Sequence, residues 1–199
     1  DMLIVIGGGP CTYNPEPIAE FFDLFYIGEG EISYDALFEL YKQCCQEGYS
    51  RTDFLRRAAQ IPGIYVPSMY EVTYGEDGCL CAFTPKYEDI PAKVEKQLVM
   101  DMTEAPYPKK PLVPFIKATQ DRVVLEIQRG CIRGCRFCQA GMIYRPTREK
   151  DLEQLKAYAY EMLKSTGHEE ISLSSLSSSD YSQLEGLVNF LIDNFHDKG

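Results

Sequence analysis

Gln128-Arg129-Gly130-Cys131-Ile132-Arg133-Gly134-Cys135-Arg136-Phe137-Cys138 follows the short apolar run Val123 to Ile127. The apolar run predicts a strand. The segment after it places three thiols at the spacing C-x3-C-x2-C, tight enough to turn three sulfurs toward one point. Gly130 and Gly134 relieve the backbone where it must bend. Cysteine thiolates are the usual ligands of iron–sulfur clusters.

None of residues 139–199 is a cysteine. A cubane cluster held by three thiolates leaves one iron open, and an open coordination position is what a catalytic metal site needs. Arg129, Arg133, Arg136 and Arg145 fall between Ile127 and Thr147, with no Asp or Glu. In a chain of net charge −10 that local bias suits an anionic cluster. Other readings stay open. A structural zinc site needs four ligands, and the next histidine is His168. Cys135 and Cys138 alone make a thiol–disulfide pair before a helix, which leaves Cys131 without a role.

Downstream, Asp151 to Lys164 predicts an amphipathic helix with Leu152, Leu155, Ala159, Met162 and Leu163 on one stripe, ended by Gly167. Glu170 to Leu173 predicts a strand, followed by a serine-rich stretch. Asp180 is expected to cap a last helix carrying Leu184, Leu187, Val188, Leu191, Ile192 and Phe195. Strand, helix, strand, helix in that order predicts parallel strands joined by right-handed crossovers.

Upstream, Met2 to Ile6 reads as a buried strand running into Gly7-Gly8-Gly9-Pro10. A short helix over Pro15 to Phe22, a strand over Leu24 to Ile27 and the turn Gly28-Glu29-Gly30-Glu31 come next. A helix over Ser33 to Glu47, with Leu37, Leu40, Tyr41 and Cys44 on one face, stops at Gly48. These residues predict the back half of a doubly wound α/β domain. Another helix is expected over Thr52 to Ala59, and a hairpin pairs Tyr70 to Tyr74 with Cys79 to Phe83. Prolines recur from Pro85 to Pro114, predicting an extended connector and not a core. The division expected is therefore residues 1–50, the C-terminal part of a wound α/β domain; 51–118, a connector with helix, hairpin and Pro-rich stretch; and 119–199, the start of a second domain. No internal repeat is visible.

Bulk properties bound the function. The chain has 199 residues, 45% hydrophobic and 25% charged, an ordinary globular balance. Its acidity argues against wrapping nucleic acid by bulk electrostatics. No stretch of eighteen apolar residues occurs, and Asp1 to Pro10 is too short and too acidic for a signal peptide. Eight cysteines without a secretory signal point to a cytoplasmic protein with metal or redox chemistry. The start at Asp1 and the end just past a helical pattern lead us to expect a piece cut at both ends.

Cys131-x3-Cys135-x2-Cys138, with Phe137 before the last cysteine, resembles the signature of the radical S-adenosylmethionine superfamily. Gln139-Ala140-Gly141-Met142-Ile143-Tyr144-Arg145-Pro146-Thr147-Arg148-Glu149, Gly7 to Pro10 and Gly28 to Glu31 resemble a bacterial branch with an N-terminal cobalamin-binding-like domain. The resemblance implies a partial Rossmann-like domain, the hairpin-bearing connector, and the first two β/α units of a partial TIM-type barrel. It implies a [4Fe–4S] cluster on Cys131, Cys135 and Cys138, with S-adenosylmethionine on the open iron. Reductive cleavage would then give a 5′-deoxyadenosyl radical that abstracts hydrogen from a substrate the sequence does not name. An electron donor such as flavodoxin or ferredoxin would be a partner. Phe137 would lie near the adenine, and Ser174 and Ser175 near the methionine end, although a serine-rich turn explains the two serines equally well. No Asp-x-His-x-x-Gly motif occurs, so cobalamin is an open alternative and not an expectation.

A non-catalytic iron–sulfur or cobalamin-binding module is the competing class. Among the remaining residues, Cys79-x-Cys81 puts two thiols on one strand face. Cys11, Cys44 and Cys45 read as turn or helix residues, His168 and His196 as polar residues near helix ends, and Glu29 and Glu31 as solvated strand-end carboxylates. Arg145 and Arg148 either contact the cofactor or balance cluster charge.

Overall fold

The computed structural model describes residues 3–116 and 118–195. Met2, the expected start of the first strand, and His196 lie outside that range. The chain divides into two compact units, residues 1–99 and 100–199. The break falls inside the Pro-rich stretch. Both units are mixed α/β, built from small sheets with helices.

The first unit is organised on a strand buried at every position. β1 (Ile6–Gly7) runs parallel to β2 (Leu24–Tyr26), with Ile6 opposite Leu24. Leu24, Phe25 and Tyr26 are each at most 1% exposed, as a strand covered on both faces requires. The segment between them winds as two 3-10 helices, Gly9–Tyr13 and Glu16–Phe21, the second lying within the short helix expected over Pro15 to Phe22. Pro10, Pro15 and Pro17 cannot donate backbone hydrogen bonds, so a regular α-helical ladder has no start there.

α1 (Tyr34–Glu47) buries Leu37 and Cys44 in the core that also holds β2, with Leu40 and Tyr41 packed at its edge, and Gly48 closes it in a left-handed cap. Burial pushes the Cys44 thiol pKa up, consistent with an inert core thiol. α2 (Arg51–Ala58) opens on a reciprocal capping box between Ser50 and Asp53. β3 (Ile64–Tyr65) then adds antiparallel to β2, giving the order β1-β2-β3. The sequence did not predict β3, because two residues after Pro62-Gly63 carry no period.

The hairpin stands as expected. β4 (Tyr70–Tyr74) pairs antiparallel with β5 (Leu80–Pro85). Among the described residues, no helix or regular strand lies between Pro85 and Pro114. Ile90, Val99, Met102 and Ala105 are nevertheless buried, Ile90 within the first core. Apolar side chains here bury from an extended backbone, without the periodicity a sequence reading relies on.

The second unit has one parallel pair. β6 (Val123–Glu126) is followed by β7 (Gln128–Arg129), α3 (Gln139–Ile143), β8 (Arg148–Glu149), α4 (Leu152–Thr166), β9 (Ile171–Ser174) and α5 (Leu184–Phe195). β6 and β9 lie parallel with Val123 opposite Ile171 and Glu126 opposite Ser174. Asp151 caps α4 by accepting the Gln154 N–H at 3.0 Å. The core gathers Leu125, Ile127, Leu155, Ala159, Met162 and Leu187, with Leu152, Leu163, Leu184, Leu191 and Phe195 at its margin.

Two expectations for α5 need correction. Ile192 is 51% exposed, off the buried face. Asp180 does not cap the helix, which begins four residues later. It ends a 3-10 turn, Ser178–Asp180, and its carboxylate is used elsewhere. Among the described residues, no helix is long and apolar enough to cross a membrane.

Candidate metal centre

The cysteine loop is an excursion from the carboxyl end of β6. Its two ends are tied by β7 and β8, which pair antiparallel with Gln128 opposite Glu149 and Arg129 opposite Arg148. The Lys150 N–H extends this clamp by donating to the Ile127 carbonyl at 2.9 Å. Arg148 is buried and donates to the carbonyls of Pro146 at 3.0 Å and Tyr144 at 3.5 Å. It therefore braces the return limb of the loop from within.

Gly130 starts the excursion with φ +83, the left-handed region. A Cβ there would lie 2.5 Å from the Pro146 carbonyl oxygen and 2.7 Å from that of Tyr144. Both are backbone atoms, so only glycine lets the outgoing limb pass the returning one.

Cys131 and Cys138 are half-buried and Cys135 is exposed, and all three are free thiols. The Cys131 sulfur accepts the Arg133 N–H at 3.5 Å, and the Cys138 sulfur accepts the Gly141 N–H at 3.4 Å as α3 begins. The Cys138 N–H closes the tight turn onto the Cys135 carbonyl at 3.0 Å. Among the described residues, no three His, Cys, Asp or Glu side chains already stand grouped as a metal cage. The fit of a cluster therefore rests on donor chemistry. Three free thiols share one loop, and two of the sulfurs already take backbone N–H donors of the kind that stabilise thiolate charge.

The arginines are less free than the sequence suggests. Arg129 pairs with Glu126, with Nε to Oε1 at 2.9 Å. Arg133 pairs with Asp180, with Nε to Oδ2 at 2.8 Å. Carboxylates from outside the 127–147 stretch thus neutralise part of its positive charge. Arg145 lies against the loop, its Nη2 3.3 Å from where a Cβ on Gly134 would be.

The Arg133–Asp180 pair also brings the two post-strand loops together. Asp180 accepts the Ser177 hydroxyl at 2.8 Å, and Gln128 Nε2 donates to the Ser177 carbonyl at 2.7 Å. Gln128 is 2% exposed, and its Oε1 is buried without a hydrogen-bond partner. The cysteine loop and the segment after β9 therefore meet at the carboxyl ends of both parallel strands. Such ends are where α/β sheets and barrels present their sites.

Arg133, and then Ser177, hold the Asp180 carboxyl below the usual aspartate range. The tie is complete above that range and fades as pH falls through the lowered value. Asp180→Asn should mimic this at neutral pH, and faster amide hydrogen exchange over residues 131–138 is the expected readout.

The other residues singled out in the sequence are engaged as follows. The Phe137 ring is 93% exposed. Ser174 ends β9 and is exposed, while the Ser175 hydroxyl is within 3.0 Å of the Ser178 hydroxyl. Glu29 is not simply solvated: its Oε2 accepts the Val99 N–H at 2.7 Å. His168 follows the α4 cap and faces Asp121 at 3.6 Å.

Comparison with known proteins fits this layout. Residues 125–197 match the Radical SAM superfamily, and residues 1–67 match Radical SAM proteins, N-terminal. These matches support the radical SAM superfamily. The radical SAM match begins inside β6 and takes in the cysteine loop, α4, β9 and nearly all of the chain after it. The chain is also 30% identical over 200 residues to an uncharacterized protein of Methanocaldococcus jannaschii, an alignment covering 96% of this chain. The chain spans 35% of that relative's length. Neither family description names cobalamin.

Proposed function

We propose that Cys131, Cys135 and Cys138 hold a [4Fe–4S] cluster at which S-adenosylmethionine is bound and reductively cleaved. When bound, the cluster supplies one electron for breaking a carbon–sulfur bond of S-adenosylmethionine, with a 5′-deoxyadenosyl radical as product. The observation that carries the reading is a clamped three-thiol loop at the carboxyl end of β6, beside the loop after β9. β6, α4, β9 and α5 are read as the first two units of a barrel, and residues 1–50 as the C-terminal part of a cobalamin-binding-like α/β domain, without commitment to cobalt.

The chain's own residues have defined tasks in this reading. Gly130, Arg148 and the β7–β8 pair hold the loop's neck closed. Arg145 packs against the loop at Gly134. The exposed Phe137 ring offers a flat apolar face for adenine. Ser174 is open to the methionine end, whereas Ser175 must first exchange its contact with Ser178. A low-potential donor such as flavodoxin or ferredoxin provides the electron, and the substrate that loses hydrogen is left unnamed.

The test uses the chain in its natural full-length context, reconstituted anaerobically with iron and sulfide. With dithionite and S-adenosylmethionine, 5′-deoxyadenosine and methionine are expected in equal amounts. A cluster that loads without producing either molecule would instead identify a non-catalytic iron–sulfur module.

A further inference from the structure

The β4–β5 hairpin carries two thiols that the metal centre does not use. Cys79 and Cys81 are both free and exposed. The turn between the strands is closed by the Gly75 N–H on the Cys79 carbonyl at 2.9 Å and the Gly78 N–H on the Gly75 carbonyl at 3.0 Å. Tyr74 pairs with Leu80 and Thr73 with Ala82, so Cys81 is the extra residue of a β-bulge. Bulges re-aim a side chain without ending the hairpin.

That re-aimed sulfur occupies a specific place. A Cβ on Gly75 would lie 3.1 Å from the Cys81 sulfur and 2.8 Å from Asp77 Oδ1. Asp77 Oδ1 also accepts the Cys79 N–H at 3.0 Å. This bond, followed by one from the Cys79 thiol, holds the Asp77 carboxyl below its usual range. Both cysteines therefore converge on the corner of Asp77 and Gly75. Gly75 does not take a left-handed backbone; what its missing side chain provides is room for the Cys81 sulfur beside Asp77.

We propose that Cys79 and Cys81 form a thiol–disulfide exchange site for low-molecular-weight disulfides such as glutathione disulfide. One cysteine sulfur attacks the small disulfide, forming a mixed disulfide and releasing one small thiol. The second cysteine sulfur then attacks the bonded protein sulfur and releases the other small thiol. The Sγ–Sγ bond of Cys79 and Cys81 forms as the small S–S bond breaks. Two protein thiols are oxidised, one small disulfide is reduced, and the two thiol protons end on the departing thiols. A bond closing so short a loop in an exposed turn is strained and readily reduced, so the exchange is reversible. The site lies in the first compact unit and does not depend on the cluster assignment.

Trypsin places the pair in one peptide, Ala58 to Lys86, which contains no other cysteine. After treatment of the folded chain with glutathione disulfide, that peptide should lose two hydrogen atoms and regain them with dithiothreitol. Cys81→Ser should instead leave one stable glutathionyl group on Cys79. Gly75→Val, which fills the shared space, should accumulate the mixed disulfide and suppress closure. A peptide that keeps both thiols, ends with two glutathionyl groups, or closes equally fast in Gly75→Val would overturn the proposal.

Discussion

Gly130→Ala should reduce the iron content of the anaerobically reconstituted chain to background while leaving its far-ultraviolet circular dichroism close to that of the parent. At φ +83 an alanine already costs about 1–2 kcal/mol. The larger cost is steric, because its Cβ would sit 2.5 and 2.7 Å from the Pro146 and Tyr144 carbonyl oxygens. Both carbonyls also accept from the buried Arg148, so moving them aside disturbs the return limb next to the β7–β8 neck, and a displaced limb lets the three thiols drift apart. Gly134→Ala is the internal control. Its nearest obstacle is the Arg145 Nη2 at 3.3 Å, the end of a flexible side chain. That variant should load a cluster with reduced yield. Equal loading in both variants would mean that the neck does not hold the loop.

Leu125→Ala should lower the stability of the second unit by about 2–5 kcal/mol, the range for emptying a filled core position. Leu125 is 0% exposed and lies opposite Leu173 across the parallel pair, in the core that also holds Leu155 and Ala159. β6 leads directly into β7 and the cysteine loop, so loss of its packing reaches the site as well as the fold. Equilibrium urea unfolding measures the effect, and a change under about 1 kcal/mol would contradict the burial argument.

The parts legible in the sequence are those with a local period or a terminal signal. α1 and α4 could be read from their apolar stripes and from Gly48 and Gly167. β6 and β9 could be read from short apolar runs, and their parallel pairing from the helix between them. The hairpin followed from Gly75-Glu76-Asp77-Gly78 between two β-prone runs. In the site, the thiols and the two loop glycines were legible because their spacing is local.

What escaped the sequence depends on contacts between distant residues. β3, β7 and β8 are two residues each, too short for a period of two to register. Arg133 and Asp180 are 47 positions apart, as are Glu29 and Val99 by 70, and neither partner marks the other in the sequence. The 127–147 stretch therefore looked more cationic than it is, and Asp180 looked like a helix cap. In the Pro-rich stretch, burial of Ile90 and Met102 comes from tertiary packing alone.

Iron and acid-labile sulfide, measured per chain after anaerobic reconstitution, test the central claim most directly. The parent should bind about four of each, and Cys131→Ala, Cys135→Ala and Cys138→Ala should each lose the cluster. Stoichiometric zinc in place of iron, or undiminished iron and sulfide in the three variants, would contradict the assignment.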